Sequence, residues 1–184
     1  DDPFPENLPV VECCRTCNSS FSVHEEYFAC FLSCVLDGSA CPDTLSRPKV
    51  ARIMRDAPAL AKRIQSSLQP AASGELIWMP ELERVQTVVL KLARGHIAYE
   101  LSLPRLEEPE SIHFAPLPLL SSDAVESFLA PQRTPFWPEI CSRAFIRASK
   151  SNLSSAEDPW IVVQPDRYQY LVSQAHGDLV RFLI

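Results

Sequence analysis

Cys14 and Cys17 are separated by two residues, a spacing that lets two thiolates close on one metal ion through a tight knuckle. Two thiolates are half of a tetrahedral zinc site. A local second half is available at Cys30 and Cys34, so that Cys14-x2-Cys17-x12-Cys30-x3-Cys34 has the spacing of an all-cysteine finger. Cys30 and Cys34 are i,i+4 neighbours and share one helix face. The competing reading makes them small core residues, since free cysteine is among the most buried residue types. Core packing is the favoured of the two. Six of the seven cysteines fall between residues 13 and 41, and Cys141 stands alone. That odd count, with no basic start and no apolar signal core at residues 1–7, argues against a secreted disulfide scaffold and points to a reducing cytoplasm.

Three further groups bear on chemistry. A segment rich in Arg and Lys carries Arg47, Lys49, Arg52, Arg55, Lys62 and Arg63 against one acid, Asp56. It is the candidate face for nucleic-acid phosphates, weighed against an ordinary solvated helix face. His24 is a candidate metal ligand or an exposed first-turn residue. His96, His113 and His176 are scattered, and no H-E-x-x-H is present. No G-x-S-x-G, P-loop or G-x-G-x-x-G occurs, and with four glycines in all a phosphate cradle is not expected. Glu107, Glu108 and Glu110 read as a solvated acidic loop.

The stretch from Asn7 to Phe28 resembles the second half of an HNH (ββα-metal) nuclease motif. It is similar to a family of bacterial HNH-like proteins with the signature Cys-x-x-Cys-Asn-x-x-x-Ser-x-x-Glu-Tyr-Phe, here Cys14 to Phe28. Gln164-Pro165 and Arg167-Tyr168-x-Tyr170 extend the likeness toward the C-terminal strands. The resemblance implies metal-dependent phosphodiester hydrolysis, with Mg or another divalent ion stabilising the leaving oxygen. It implies that Asn7 orients the general base and that Cys14 and Cys17 are half of a structural zinc knuckle. It also implies that Asn18, or more loosely His24, lies near the catalytic ion. The first strand of such a motif, with its general base and first Cys-x-x-Cys, belongs upstream of Asp1. The chain is therefore expected to be a fragment or processed product, inactive by itself as a nuclease. The alternative is a non-enzymatic zinc-stabilised module binding nucleic acid or protein. A third reading is an interaction protein without metal.

These residues need elements to position them. The chain has 184 residues, 46% of them hydrophobic and 22% charged, which suits one ordinary domain or two small ones. No apolar run approaches the roughly 18 residues of a membrane span. The net charge of −6 excludes a wholly basic nucleic-acid coat but not a basic face. Ser22-Val23-His24-Glu25 is a capping box that predicts a helix over 23–36, stopped by Asp37-Gly38. A helix over 47–68, interrupted near Pro58, and one over 80–100 follow, with His96 after Gly95 marking the end of the latter. A short helix is expected over 123–130, after a Pro-rich acidic connection at 103–118. Leu8 to Val11 is a candidate short strand. Trp160–Val163, Arg167–Val172 and Leu179–Ile184 predict an antiparallel meander, turning last at His176-Gly177. It would bury Tyr168, Tyr170 and Val172 on one face. The expected class is α+β, with a Cys-rich module at 1–41 and a helical and sheet-containing part at 42–184. DNA or RNA and a second copy of the chain are the partners considered, and a membrane is not.

Overall fold

The computed structural model describes residues 8–70, 74–130, 132–133, 138–150, 157–158, 160–174 and 177–184. Asn7 and His176 lie outside them. The chain is α+β and divides into two compact units, one of residues 13–91 and one of residues 1–12 with 92–184. The division does not fall at residue 41, because the Cys-rich stretch packs into the same core as the segment that follows it.

In the first unit, α1 runs from Arg15 to Asp37, eight residues earlier than the capping box predicts. Its N-cap is Cys14, whose sulfur accepts the Cys17 N–H at 3.2 Å. Ser20 and Ser22 do not break the helix. Their hydroxyls donate to the carbonyls of Cys17 and Ser19, three residues back, at 2.7 and 2.8 Å. Serine in a helix interior is tolerated on these terms. Gly38 ends α1 in the left-handed region at φ 64°, where its N–H meets the Cys34 and Val35 carbonyls, as the sequence predicts.

The predicted 47–68 helix is two helices, α2 (Pro48–Asp56) and α3 (Pro58–Gln65). Pro58 lacks the N–H needed to continue α2 and instead serves as the first residue of α3. α1, α2 and α3 enclose Tyr27, Cys30, Phe31, Cys34, Val50, Ala51, Met54 and Ile64. A small hairpin of β1 (Leu68–Pro70) and β2 (Leu76–Trp78) was not foreseen from the sequence. It supplies Trp78, whose ring meets Phe31 edge-on at 6.1 Å. Helix α4 (Leu82–Leu101) begins in this unit. The Tyr27 hydroxyl accepts the Glu81 N–H at 2.8 Å just before it.

In the second unit, α4 runs on through Gly95 and His96 to Leu101. His96 is therefore a buried interior residue and not a helix end. Gly95 lies against the chain at Val11, which is not in a strand. Helix α5 (Ser122–Leu129) is capped by Ser121, whose hydroxyl oxygen accepts the Ala124 N–H. A two-residue pair, β3 (Gln132–Arg133) with β4 (Glu157–Asp158), and helix α6 (Arg143–Lys150) escaped the sequence reading. The C-terminal meander is present as β5 (Ile161–Gln164), β6 (Tyr168–Gln174) and β7 (Asp178–Leu183), in that order and antiparallel.

Tyr170 and Val172 pack with Ile97, Leu101 and Ala144, and Tyr168 is half-buried beside them. The opposite face of β6 is buried too, at Leu171 and Ser173. Arg181, opposite Leu171 in the ladder, donates to the carbonyls of Phe128 in α5 and of its C-cap Ala130 at 2.7 and 2.9 Å.

Candidate functional site

The N-terminal turn of α1 holds the exposed thiols Cys14 and Cys17, with Cys13 exposed beside them. An N-cap residue leaves its side chain facing the unpaired N–H groups of the first helical turn. Here a sulfur fills that place. A hydrogen bond from the Cys17 thiol, reinforced by the Cys17 N–H, lowers the pKa of Cys14 below the ordinary thiol value. The same contact, followed by the charge on Cys14, raises that of Cys17. The two thiols are thus unequal.

Cys30 and Cys34 behave otherwise. Both are fully buried in the α1–α2–α3 core. Burial pushes each thiol up to about 11, helped by the charges of Glu26 at Cys30 and of Cys30 and Asp37 at Cys34. All four cysteines belong to one continuous α1 with its cap. Cys30 lies thirteen positions after Cys17 along the helix, a rise of about 20 Å at about 1.5 Å per residue. The structure does not bring the two pairs to one ion. Exposed thiols at Cys14 and Cys17 suit two positions of a zinc knuckle, and Cys30 and Cys34 do not supply the other two. Among the described residues no group of three or more metal-ligating side chains converges.

Asn18 follows on the same turn. Its Oδ1 accepts from Lys91 Nζ at 3.2 Å, and Lys91 also pairs with Glu25 Oε1 at 2.6 Å and lies 5.2 Å from the Phe21 ring centre. Residues 18, 21 and 25 form one helix face, so Lys91 fastens the first turns of α1 to α4 within the unit. An ammonium at Asn18 is a poor neighbour for a second cation. His24 lies six residues on, turned to a different face, and its buried Nδ1 has no hydrogen-bond partner among the described residues. Asn18 and His24 therefore do not converge on an ion, and the residues present do not fit the divalent centre that the resemblance implies. Lys91 and Glu25 were missed in the sequence. The 18, 21, 25 spacing was the signal that could have suggested a shared partner.

The basic segment is laid out as a face. Arg47, Lys49, Arg52, Arg55, Lys62 and Arg63 are all exposed, while Val50, Ala51, Met54 and Ile64 point into the core. Arg55 pairs with Asp43 at 2.8 Å and Arg63 with Glu81 at 3.2 Å. Arg47, Lys49, Arg52 and Lys62 have no acidic partner among the described residues. The unit that carries them has nine Lys and Arg against eight Asp and Glu, whereas the other has eight against fifteen. The acidity of the whole chain thus belongs to the other unit.

A second polar cluster, not foreseen, lies inside the sheet-containing unit. Glu100, 1% exposed, accepts the Tyr170 hydroxyl at 2.5 Å on Oε1 and faces Arg147 Nη1 at 2.6 Å on Oε2. His96, one turn earlier on α4, stacks on the Tyr170 ring at 3.8 Å and its Nε2 meets the Tyr168 hydroxyl. Burial lowers His96 to about 4, so it is neutral at pH 7. Burial also raises both tyrosines. These contacts hold α4 and α6 to β6, while the buried Nδ1 of His96 has no hydrogen-bond partner among the described residues. Their signal in the sequence was the i,i+4 pair His96 and Glu100.

No helix among the described residues is long and apolar enough to cross a membrane. In comparisons with known proteins, no family model, no curated protein and no solved structure matches the chain.

Proposed function

We propose that the chain is the nucleic-acid-binding, thiolate-knuckle part of an HNH-like nucleic-acid-processing protein. The observation that carries this reading is the outward face of α2 and α3, with six exposed cations and four of them without an acidic partner. Such charges neutralise phosphates and release counterions, and they contact the backbone without reading sequence. Cys14 and Cys17 would give two thiolates of a structural zinc knuckle whose remaining ligands come from outside the described residues. A bound zinc would supply only rigidity there. Binding is favoured over hydrolysis because Lys91 occupies Asn18 and His24 faces elsewhere.

The test is duplex binding by fluorescence anisotropy at 50 to 200 mM salt, for the chain and for a variant with Arg47, Lys49, Arg52 and Lys62 changed to Gln. The expected result is binding that weakens with salt, and a variant at least tenfold weaker. The variant's log–log salt slope should be shallower by about one for each cation that contacts a phosphate. Equal affinity and slope for the two proteins would reject the reading, as would no binding at 50 mM salt.

A further inference from the structure

The paired thiols at the start of α1 suggest an activity separate from phosphate contact. We infer that Cys14 and Cys17, in the metal-free chain, are a redox-active dithiol that reduces small-molecule or exposed protein disulfides. The inference does not depend on the nucleic-acid reading, and shares with it only the two sulfurs.

Three observations on the structure carry it. Both thiols are open to solvent, so a disulfide can reach them. The Cys14 sulfur already lies over residue 17, accepting its N–H at 3.2 Å. The two residues are i,i+3 on one turn, a separation close to that a disulfide bridges. Cys13 is aimed differently, with its sulfur 3.6 Å from the Cys14 carbonyl oxygen. Cys30 and Cys34, four apart in sequence, are sealed in the core and cannot meet a substrate.

The chemistry balances without any group beyond the disulfide. The Cys14 thiolate attacks one sulfur of the substrate, forming a mixed disulfide and releasing the first thiolate, which takes up a proton. Cys17 then gives its proton to solvent and attacks the Cys14 sulfur. The Cys14–Cys17 disulfide forms and the second substrate thiol leaves. Two electrons pass from the dithiol to the substrate. The roles follow from the cap: Cys14 is the attacking thiol and Cys17 the resolving one.

The experiment uses the full chain freed of metal by a chelator, with oxidised glutathione as probe and mass mapping of every cysteine after rapid acid quench. The expected product is an intramolecular Cys14–Cys17 disulfide, formed at least tenfold faster than glutathione adducts on Cys13 or Cys41. Cys17→Ser should stop at a mixed disulfide on Cys14, and Cys14→Ser should leave Cys17 at least tenfold slower to react. Circular dichroism confirms that both variants keep the helical fold. Stable glutathione adducts on Cys14 in the unmutated chain would overturn the inference, as would a reaction shared evenly among the exposed thiols. A parallel zinc titration separates the readings. Zinc binding without disulfide formation rejects the dithiol and keeps the knuckle, while disulfide formation without zinc binding does the reverse.

Discussion

The two ends of α1 carry the same residue type in opposite environments. At the first turn Cys14 and Cys17 face solvent, and one caps the helix. About two turns before the other end, Cys30 begins a pair that is enclosed by α2 and α3 with Tyr27, Phe31 and Met54. Spacing alone makes both pairs candidate ligands. What separates them is the neighbouring apolar residues. Cys30 and Cys34 fall among Tyr27, Phe31 and Leu32, whereas Cys14 and Cys17 are followed by Asn18, Ser19 and Ser20. A thiol inside an apolar helix face is a small hydrophobe, and one at a polar helix entrance is a chemical group.

The contrast is most exposed to failure at alkaline pH. The folded-state values of Cys30 and Cys34 are raised to about 11 from the unfolded 9.0, so the unfolded chain loses these protons first. Their contribution is full below pH 9 and is lost as pH rises through 11. Each thiol contributes up to about 2–3 kcal/mol across that window. Denaturant unfolding at pH 8, 8.5 and 9, below the tyrosine range, should show falling stability. The fall should flatten in Cys30→Ala with Cys34→Ala and persist in Cys14→Ser with Cys17→Ser. A fall that survived loss of the buried pair would erase the distinction.

A smaller effect is expected at constant pH. Cys30→Ser replaces a buried thiol with a smaller, more strongly hydrated hydroxyl and should cost about 1–3 kcal/mol. Cys14→Ser keeps a side-chain acceptor at the N-cap, where serine is a preferred residue, and should leave the unfolding midpoint nearly unchanged. Equilibrium urea unfolding of the two variants measures the difference directly. Smallest is the tether. Lys91→Ala removes a partly exposed pair with Glu25 and the contact to Asn18, and should cost about 0.5–1 kcal/mol. Its sharper readout is amide exchange, faster over residues 17–25 and unchanged over 30–36. Uniform acceleration along α1 would show that the two ends are not independently held.

Much of this architecture was legible in the residues. The three C-terminal strands follow from alternation of large and polar residues, the end of α1 from Gly38, and the outward basic face from the run of Arg and Lys between Arg47 and Arg63 against one acid, Asp56. The start of α1 was not legible, because Ser22 to Glu25 satisfies a capping rule that the real cap, a cysteine, does not advertise. The extent of α4 was legible to within two residues, but His96 was misread as its end because Gly95 usually ends a helix. Here the helix continues through it, and His96 is buried by Tyr168 and Tyr170. The partnership of Asn18 with Lys91 joins residues 73 apart and depends on packing that no local pattern encodes.

The most direct measurement is alkylation of the native chain with iodoacetamide at pH 7.5, with the modified cysteines located by mass spectrometry over time. Cys14 should react first. Cys30 and Cys34 should stay unmodified until denaturant unfolds the chain, slower than Cys14 by at least about a hundredfold, the factor that a shift of two pH units in thiol acidity alone produces. Native-state labelling of Cys30 or Cys34 at a rate near that of Cys14 would contradict the division of α1 into a chemical end and a core end.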